Sequence, residues 1–276
     1  MATMMISNRD GLDGLAQRLS LAPAIALDTE FLRERTYRAE LCLLQIADAQ
    51  GALCVDPLAV SDLSALRHVF GGSTVKVLHA CRQDVEVLLP TAGFITPVFD
   101  TQIAAALVGM PAQIGYAELV RRVTGRELSK AHTRTDWSRR PLSAEQLEYA
   151  LDDVRYLLPI RAHLIQELTR LGRMPWLEEE LAQLQDPADY AVDPEQAWLR
   201  IRAFKGLDPD RLRLAQALAA WRERRADERN RPRGWILDDA VLRDIVVRVP
   251  RSLEELAGLP DKCLVGIVLL FPRRLA

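Results

Sequence analysis

Residues 24–31 read AIALDTEF and residues 41–47 read LCLLQIA. Ala24–Asp28 has the composition of a buried strand, and Leu41–Ala47 is a second apolar run of strand length. Asp48 to Gly51 are turn-type residues, and Ala52–Asp56 is a third run, so the three can pair as a meander. Further along, Asp62–Phe70 has helical spacing at Leu63, Leu66 and Phe70, and Val75–Leu78 is another short strand. Helical signals follow at Asp84–Leu89, Thr101–Val108 and Tyr116–Val123. Ser143 with Gln146 forms a capping box that opens a long helix, striped by Leu147, Leu151, Val154, Leu158 and Ile165. Pro159 is expected to bend or interrupt it. A short helix with Trp176, Leu177 and Leu181 ends near Asp186. Strands alternating with helices predict an α/β domain, a mixed sheet flanked by helices.

The chain has 276 residues, enough for two domains, with 49% hydrophobic and 27% charged residues and a net charge of −2. That balance neither announces nor excludes a nucleic-acid partner, because phosphate contacts depend on local clustering. Met1 to Asp10 holds no apolar core of signal-peptide length, and Leu264–Phe271 is far short of the roughly 20 residues of a membrane helix. No membrane association is expected. Cys42, Cys54, Cys81 and Cys263 show no CxxC pairing and read as buried reduced thiols, which points to the cytoplasm. After residue 186 the character changes. Pro187, Pro194 and Gly206 mark a connector carrying one short helix around Trp198, and beyond it every signal is helical: Asp208-Pro209, Asp238, and Ser252 with Glu255 each cap a helix. The expected division is 1–190, a connector over 191–207, and a small all-α domain over 208–276.

Four carboxylates stand where a fold could gather them. Asp28 and Glu30, spaced by two at the end of the first strand, point to one face. Asp84 follows a strand and begins a helix. On the long helix Tyr149 and Asp153 lie four apart and share a face, although Asp152 is an equally placed neighbour. Clustered carboxylates suit hard divalent cations such as Mg2+ and Mn2+, and two such cations about 3.5–4 Å apart can both activate a water and offset charge on a leaving oxygen.

As a set, a strand-end Asp-x-Glu, an Asp at a strand–helix junction and a Tyr-x-x-x-Asp helix reproduce the tyrosine variant of the DEDD exonucleases. The surrounding segments Leu27–Phe31, Thr36-Tyr37, Leu41–Ile46, Trp137–Leu142 and Tyr149–Val154 closely resemble the ribonuclease D family over about residues 20–205. The resemblance implies a ribonuclease H-like fold and a monomer. The activity it implies is a 3′–5′ exoribonuclease that trims the 3′ end of RNA, with transfer RNA precursors as substrate, and releases nucleoside 5′-monophosphates with two divalent ions. It implies that Asp28 bridges both ions, that Glu30 and Asp153 complete one, and that Asp84 acts on the other. Tyr149 would orient the attacking water. It also selects Asp153 over Asp152.

For RNA contacts, the basic residues Arg33, Arg35 and Arg38 form one group. Arg121, Arg122, Arg126, Lys130, Arg134, Arg139 and Arg140 form another. Beside a carboxylate site, Arg33, Lys130, Arg139 and Arg140 gain weight as phosphate partners. Phe31 and Tyr37 can stack on a terminal base or pack beneath the sheet. Residues Leu218, Trp221-Arg222, Arg231–Gly234, Leu237–Asp239 and Pro250–Leu256 resemble an HRDC domain over about 208–259. Such domains are auxiliary nucleic-acid binders, and Arg222, Arg224, Arg225, Arg229, Arg231 and Arg233 are the candidate contacts. The segment 261–276 departs from the pattern and reads either as a short terminal helix burying an apolar face or as an altered or truncated end that leaves the domain incomplete.

Overall fold

In the computed structural model, residues 5–129, 135–250 and 252–257 are described. The chain divides into two units, Met1–Leu32 with Glu40–Tyr190, and Arg33–Ala39 with Ala191–Ala276.

The first unit is built on a six-stranded sheet: β1 (Met5–Ile6), β2 (Ala24–Leu32), β3 (Glu40–Asp48), β4 (Gly51–Val55), β5 (Val75–Leu78) and β6 (Val98–Asp100), in the order β1-β4-β3-β2-β5-β6. The expected meander is present, since β2, β3 and β4 pair antiparallel in sequence. Parallel strands then extend it on both sides, β5 and β6 beyond β2 and β1 beyond β4. The edge strands β1 and β6 have two and three residues, too few to show alternation in sequence.

Eight helices of this unit are described: α1 (Arg9–Leu19), α2 (Arg67–Phe70), α3 (Arg82–Ala92), α4 (Thr101–Leu107), α5 (Tyr116–Thr124), α6 (Ala144–Arg155), α7 (Leu157–Arg170) and α8 (Met174–Leu184). The sequence reading did not anticipate α1, although its stripe Leu12, Leu15, Ala16 and Leu19 is buried and Asn8 caps it. The expected long helix divides at Tyr156, three residues before Pro159, so that the proline falls in the first turn of α7, where its missing N–H costs no hydrogen bond. The capping box at Ser143 and Gln146 is formed in both directions.

The two sheet faces differ. Ala26 and Ala47, opposite one another on β2 and β3, are small, and they share a core with Val154, Leu157, Ile160 and Leu164 of α6 and α7. Small residues in the strands let these helices approach closely. Each buried leucine there contributes about 1.5–3 kcal/mol. Ile25, Leu27 and Thr29 alternate to the opposite face. At the centre of that side Lys76, fully buried on β5, donates to the carbonyls of Val69, Gly72 and Thr96.

The second unit contains 3-10 turns at Pro194–Arg200 and Arg202–Phe204, then α9 (Pro209–Glu228), α10 (Arg233–Ile236), α11 (Asp239–Arg248) and α12 (Leu253–Ala257). The caps expected at Asp208, Asp238 and Ser252 are made. The stretch read as a connector is not a loose one: Ala197, Ile201 and Phe204 are buried with Leu218, Leu242, Val246 and Leu256. Within this unit Tyr37 donates to Glu223, Arg38 pairs with Asp227 at 2.8 Å, and Arg233 donates to Glu223. The divergent segment 261–276 lies outside the described residues, as do Cys263, Lys130 and Arg134. Cys42, Cys54 and Cys81 are free and buried. No helix among the described residues is long and apolar enough to cross a membrane.

Candidate metal centre and active site

Three of the predicted carboxylates come together. Ligand oxygens of Asp28, Glu30 and Asp153 all lie within 4.8 Å of one another. β2 supplies the first two because alternation puts Asp28 and Glu30 on one face, and a register shift between Glu30 and Phe31 offsets the pairing with β3 just beyond them. α6, packed across β2, β3 and β4, brings Asp153 to the same place. Its neighbour Asp152 turns instead to Arg155. The choice that local spacing left open between Asp152 and Asp153 is therefore made by packing.

Asp84, in the first turn of α3, comes from the other face. It is buried, and Thr29 Oγ1, the residue between Asp28 and Glu30, donates to it at 2.6 Å. Its charge acts on both Asp28 and Glu30. The strand thus grips two carboxylates directly and a third through its intervening threonine, a contact the sequence reading missed. The signal was available in the alternation of β2, but its partner lies 55 positions away.

Crowding leaves a clear electrostatic mark. Burial, and then the charges of Asp153 and Asp84, push Glu30 up to about 8. Burial pushes Asp84 to about 7 against the Thr29 hydrogen bond, and burial with Asp152 pushes Asp153 to about 7. Burial and then Asp84, Asp153 and Glu30 raise Asp28 well above the carboxylate range. Among the described residues no ion pair is formed by Asp28, Glu30 or Asp153. An all-oxygen donor set with uncompensated buried charge fits a divalent cation and suits Mg2+ or Mn2+ better than softer metals.

Tyr149, one helical turn before Asp153, stacks on Trp137 with ring centres 6.2 Å apart. Burial and then Asp153, Glu30 and Asp28 push its phenol to about 12, so at neutral pH it keeps its proton and can donate. Trp137 was read only as part of a motif; here it supports the tyrosine ring.

The expected RNA contacts divide. Arg139 is exposed, its side chain 83% accessible, beside Asp136. Arg33 is exposed and Phe31 half-buried. Arg140, in contrast, is a structural anchor: it clasps the buried Asp56 through Nε and Nη2 at 2.7 and 2.8 Å and donates to the carbonyls of Cys42 and Trp137. Tyr37 holds Glu223 through its hydroxyl and lies against the Arg233 guanidinium, 4.6 Å from ring centre to Cζ, so packing rather than free stacking occupies it. Arg222, another candidate contact, is buried and donates to the Leu237 carbonyl and Asp239.

Comparison with known proteins agrees with this geometry. Residues 3–169 match the family described as 3′-5′ exonuclease, and residues 211–262 match the HRDC domain. A ribonuclease D of Zymomonas mobilis is 44% identical, covering 91% of this chain, and the chain spans 65% of that relative's length. A ribonuclease D of Jannaschia is 45% identical, with 91% and 67% covered. The crystal structure of Escherichia coli RNase D, described as an exoribonuclease involved in structured RNA processing, superposes with a TM-score of 0.90 at 39% identity, covering 98% of this chain and 74% of that one. With the fold, the acidic cluster and these likenesses in agreement, the chain belongs to the ribonuclease D family of 3′-5′ exonucleases.

Proposed function

We propose that this protein is a 3′–5′ exoribonuclease that shortens RNA from a free 3′ end and releases nucleoside 5′-monophosphates, with transfer RNA precursors as its substrate class. The observation that carries this reading is the convergence of Asp28, Glu30 and Asp153 within 4.8 Å, uncompensated by any base among the described residues.

In this reading Asp28, Glu30 and Asp153, with Asp84 from α3, would hold two divalent ions, Mg2+ or Mn2+. Bound there, such ions lower the pKa of water and offset charge on the leaving oxygen. The chain's own residues do the rest. Asp28, within 4.8 Å of the ligand oxygens of Glu30 and Asp153 and under the charge of Asp84, would be the carboxylate common to both ions. Thr29 fixes the Asp84 carboxylate, so that its position does not depend on substrate. Tyr149 donates from its neutral phenol and orients the attacking water in line with the terminal phosphodiester. Phe31, Arg33 and Arg139 meet the RNA, the arginines offsetting repulsion between the carboxylates and a polyanion. The enzyme acts as a cytoplasmic monomer, and its helical unit is an auxiliary RNA-binding domain.

The test uses transfer RNA carrying a 3′ extension and a 5′ label, incubated with Mg2+ or Mn2+ and then with chelator. A cation-dependent ladder descending from the 3′ end, absent in Asp28→Asn, is expected. A folded wild-type chain that shortens no RNA under either cation refutes the reading.

A further inference from the structure

Gln45 sits in the middle of β3, directly opposite Asp28 on β2 and Cys54 on β4. Residues opposed in an antiparallel pair project to the same face with Cβ atoms about 4.5–5.5 Å apart. That face carries the acidic cluster and is covered by α6. Its neighbouring rows are Ala26, Ala47 and Ala52 on one side and Glu30 with Leu43 on the other, so Asp28 is the carboxylate directly opposed to the Gln45 amide.

Gln45 is fully buried, yet among the described residues neither its Nε2 nor its Oε1 has a hydrogen-bond partner. An unpaired buried polar group costs about 1–3 kcal/mol. Leu43, Leu44 and Ile46 surround it in sequence, and a leucine or methionine at 45 would fill the same space without that cost. The amide is therefore poor packing, and it is placed next to a carboxylate whose oxygens can accept its N–H groups.

We propose that Gln45 is a positioning residue for the cation site, its Nε2 donating to the Asp28 carboxylate directly opposite it when a cation is bound there. The inference rests on reading the carboxylates as a cation site. An amide donor behind a ligating carboxylate fixes which oxygen faces the ion, and loss of such an outer partner typically weakens metal binding by about 10–100-fold. In the metal-free protein the same amide contributes nothing to stability.

Two consequences separate this role from packing, and both are read on the full chain without RNA. Gln45→Met and Gln45→Leu should melt at or above the wild-type temperature in chelator. Their affinity for Mn2+, measured by calorimetry and by the paramagnetic resonance of the free ion, should fall about tenfold or more. Wild-type Mn2+ affinity in either folded variant overturns the proposal. So does loss of the folded state in both, because the amide would then be needed for packing. If the wild-type chain itself binds no Mn2+, the reading of the carboxylates fails and the role of Gln45 with it.

Discussion

Replacing Asp28 by asparagine keeps the shape of the side chain and removes charge from the most crowded point of the acidic cluster. In chelator at pH 8 the Asp28→Asn chain is expected to melt above wild type. A gain of roughly 1 kcal/mol corresponds to about 2–4 °C at this size. Calorimetry should also show that the rise in melting temperature caused by Mn2+ is lost. The same crowding dictates a pH dependence. Glu30, Asp84 and Asp153 have folded pKa values raised to about 8, 7 and 7, above the unfolded values near 4. Their contribution to stability is therefore fully present below about pH 4 and is lost as pH rises through about 7–8. Without metal the melting temperature should fall between pH 5 and 8, and saturating Mg2+ should flatten that slope. A metal-free profile that is level over this window contradicts the crowding. Tyr149→Phe removes a donor and leaves the carboxylates in place, so kcat should drop about 100-fold with KM little changed. These residues were legible because strand alternation and helical spacing are local rules, and Asp28, Glu30, Tyr149 and Asp153 obey them. The grip of Thr29 on Asp84 was not legible, since no local rule connects residues on different elements.

Among the elements, α6 illustrates how much of the site is set by packing at a distance. Its start was readable from Ser143 and Gln146, and its position over β2 follows from the small strand residues beneath it. What anchors the segment leading into it is Arg140, and here sequence reasoning took a buried tie for an RNA contact. A cluster of arginines looks the same whether it faces solvent or a buried acid, and Asp56 stands 84 residues away. Burial alone would raise the Asp56 carboxyl, but the hydrogen bonds and charge of Arg140 more than reverse this and hold it below its ordinary value. Arg140→Ala leaves Asp56 buried and unpaired, so urea denaturation should show a loss of about 3–5 kcal/mol. Arg140→Lys should recover little of it, because a single ammonium cannot reproduce the two-pronged contact. Arg139→Ala, at an exposed position, should leave stability within about 0.5 kcal/mol and act only on RNA affinity.

For the whole molecule, the change in composition after residue 186 lies close to Tyr190, where the first compact unit ends, whereas the packing of 191–207 left no mark in sequence beyond the short helix expected around Trp198. Short 3-10 turns carry no periodicity to read, yet Ala197, Ile201 and Phe204 fill the core of the helical unit. A fragment ending at Tyr190 should therefore stay monodisperse in light scattering. One ending at Leu207 should aggregate, having kept those apolar side chains without their partners. The helical unit also counts Arg33–Ala39, a piece of the link between β2 and β3, among its own residues. Its pieces are joined by packing and not by sequence order, which limits how relatives can be recombined. A chimaera that exchanges only the chain beyond residue 190 would face Glu223, Asp227 and Asn230 with a foreign hairpin, and these are the residues that receive Tyr37 and Arg38. The transferable cassette is two segments, and both must come from the same parent.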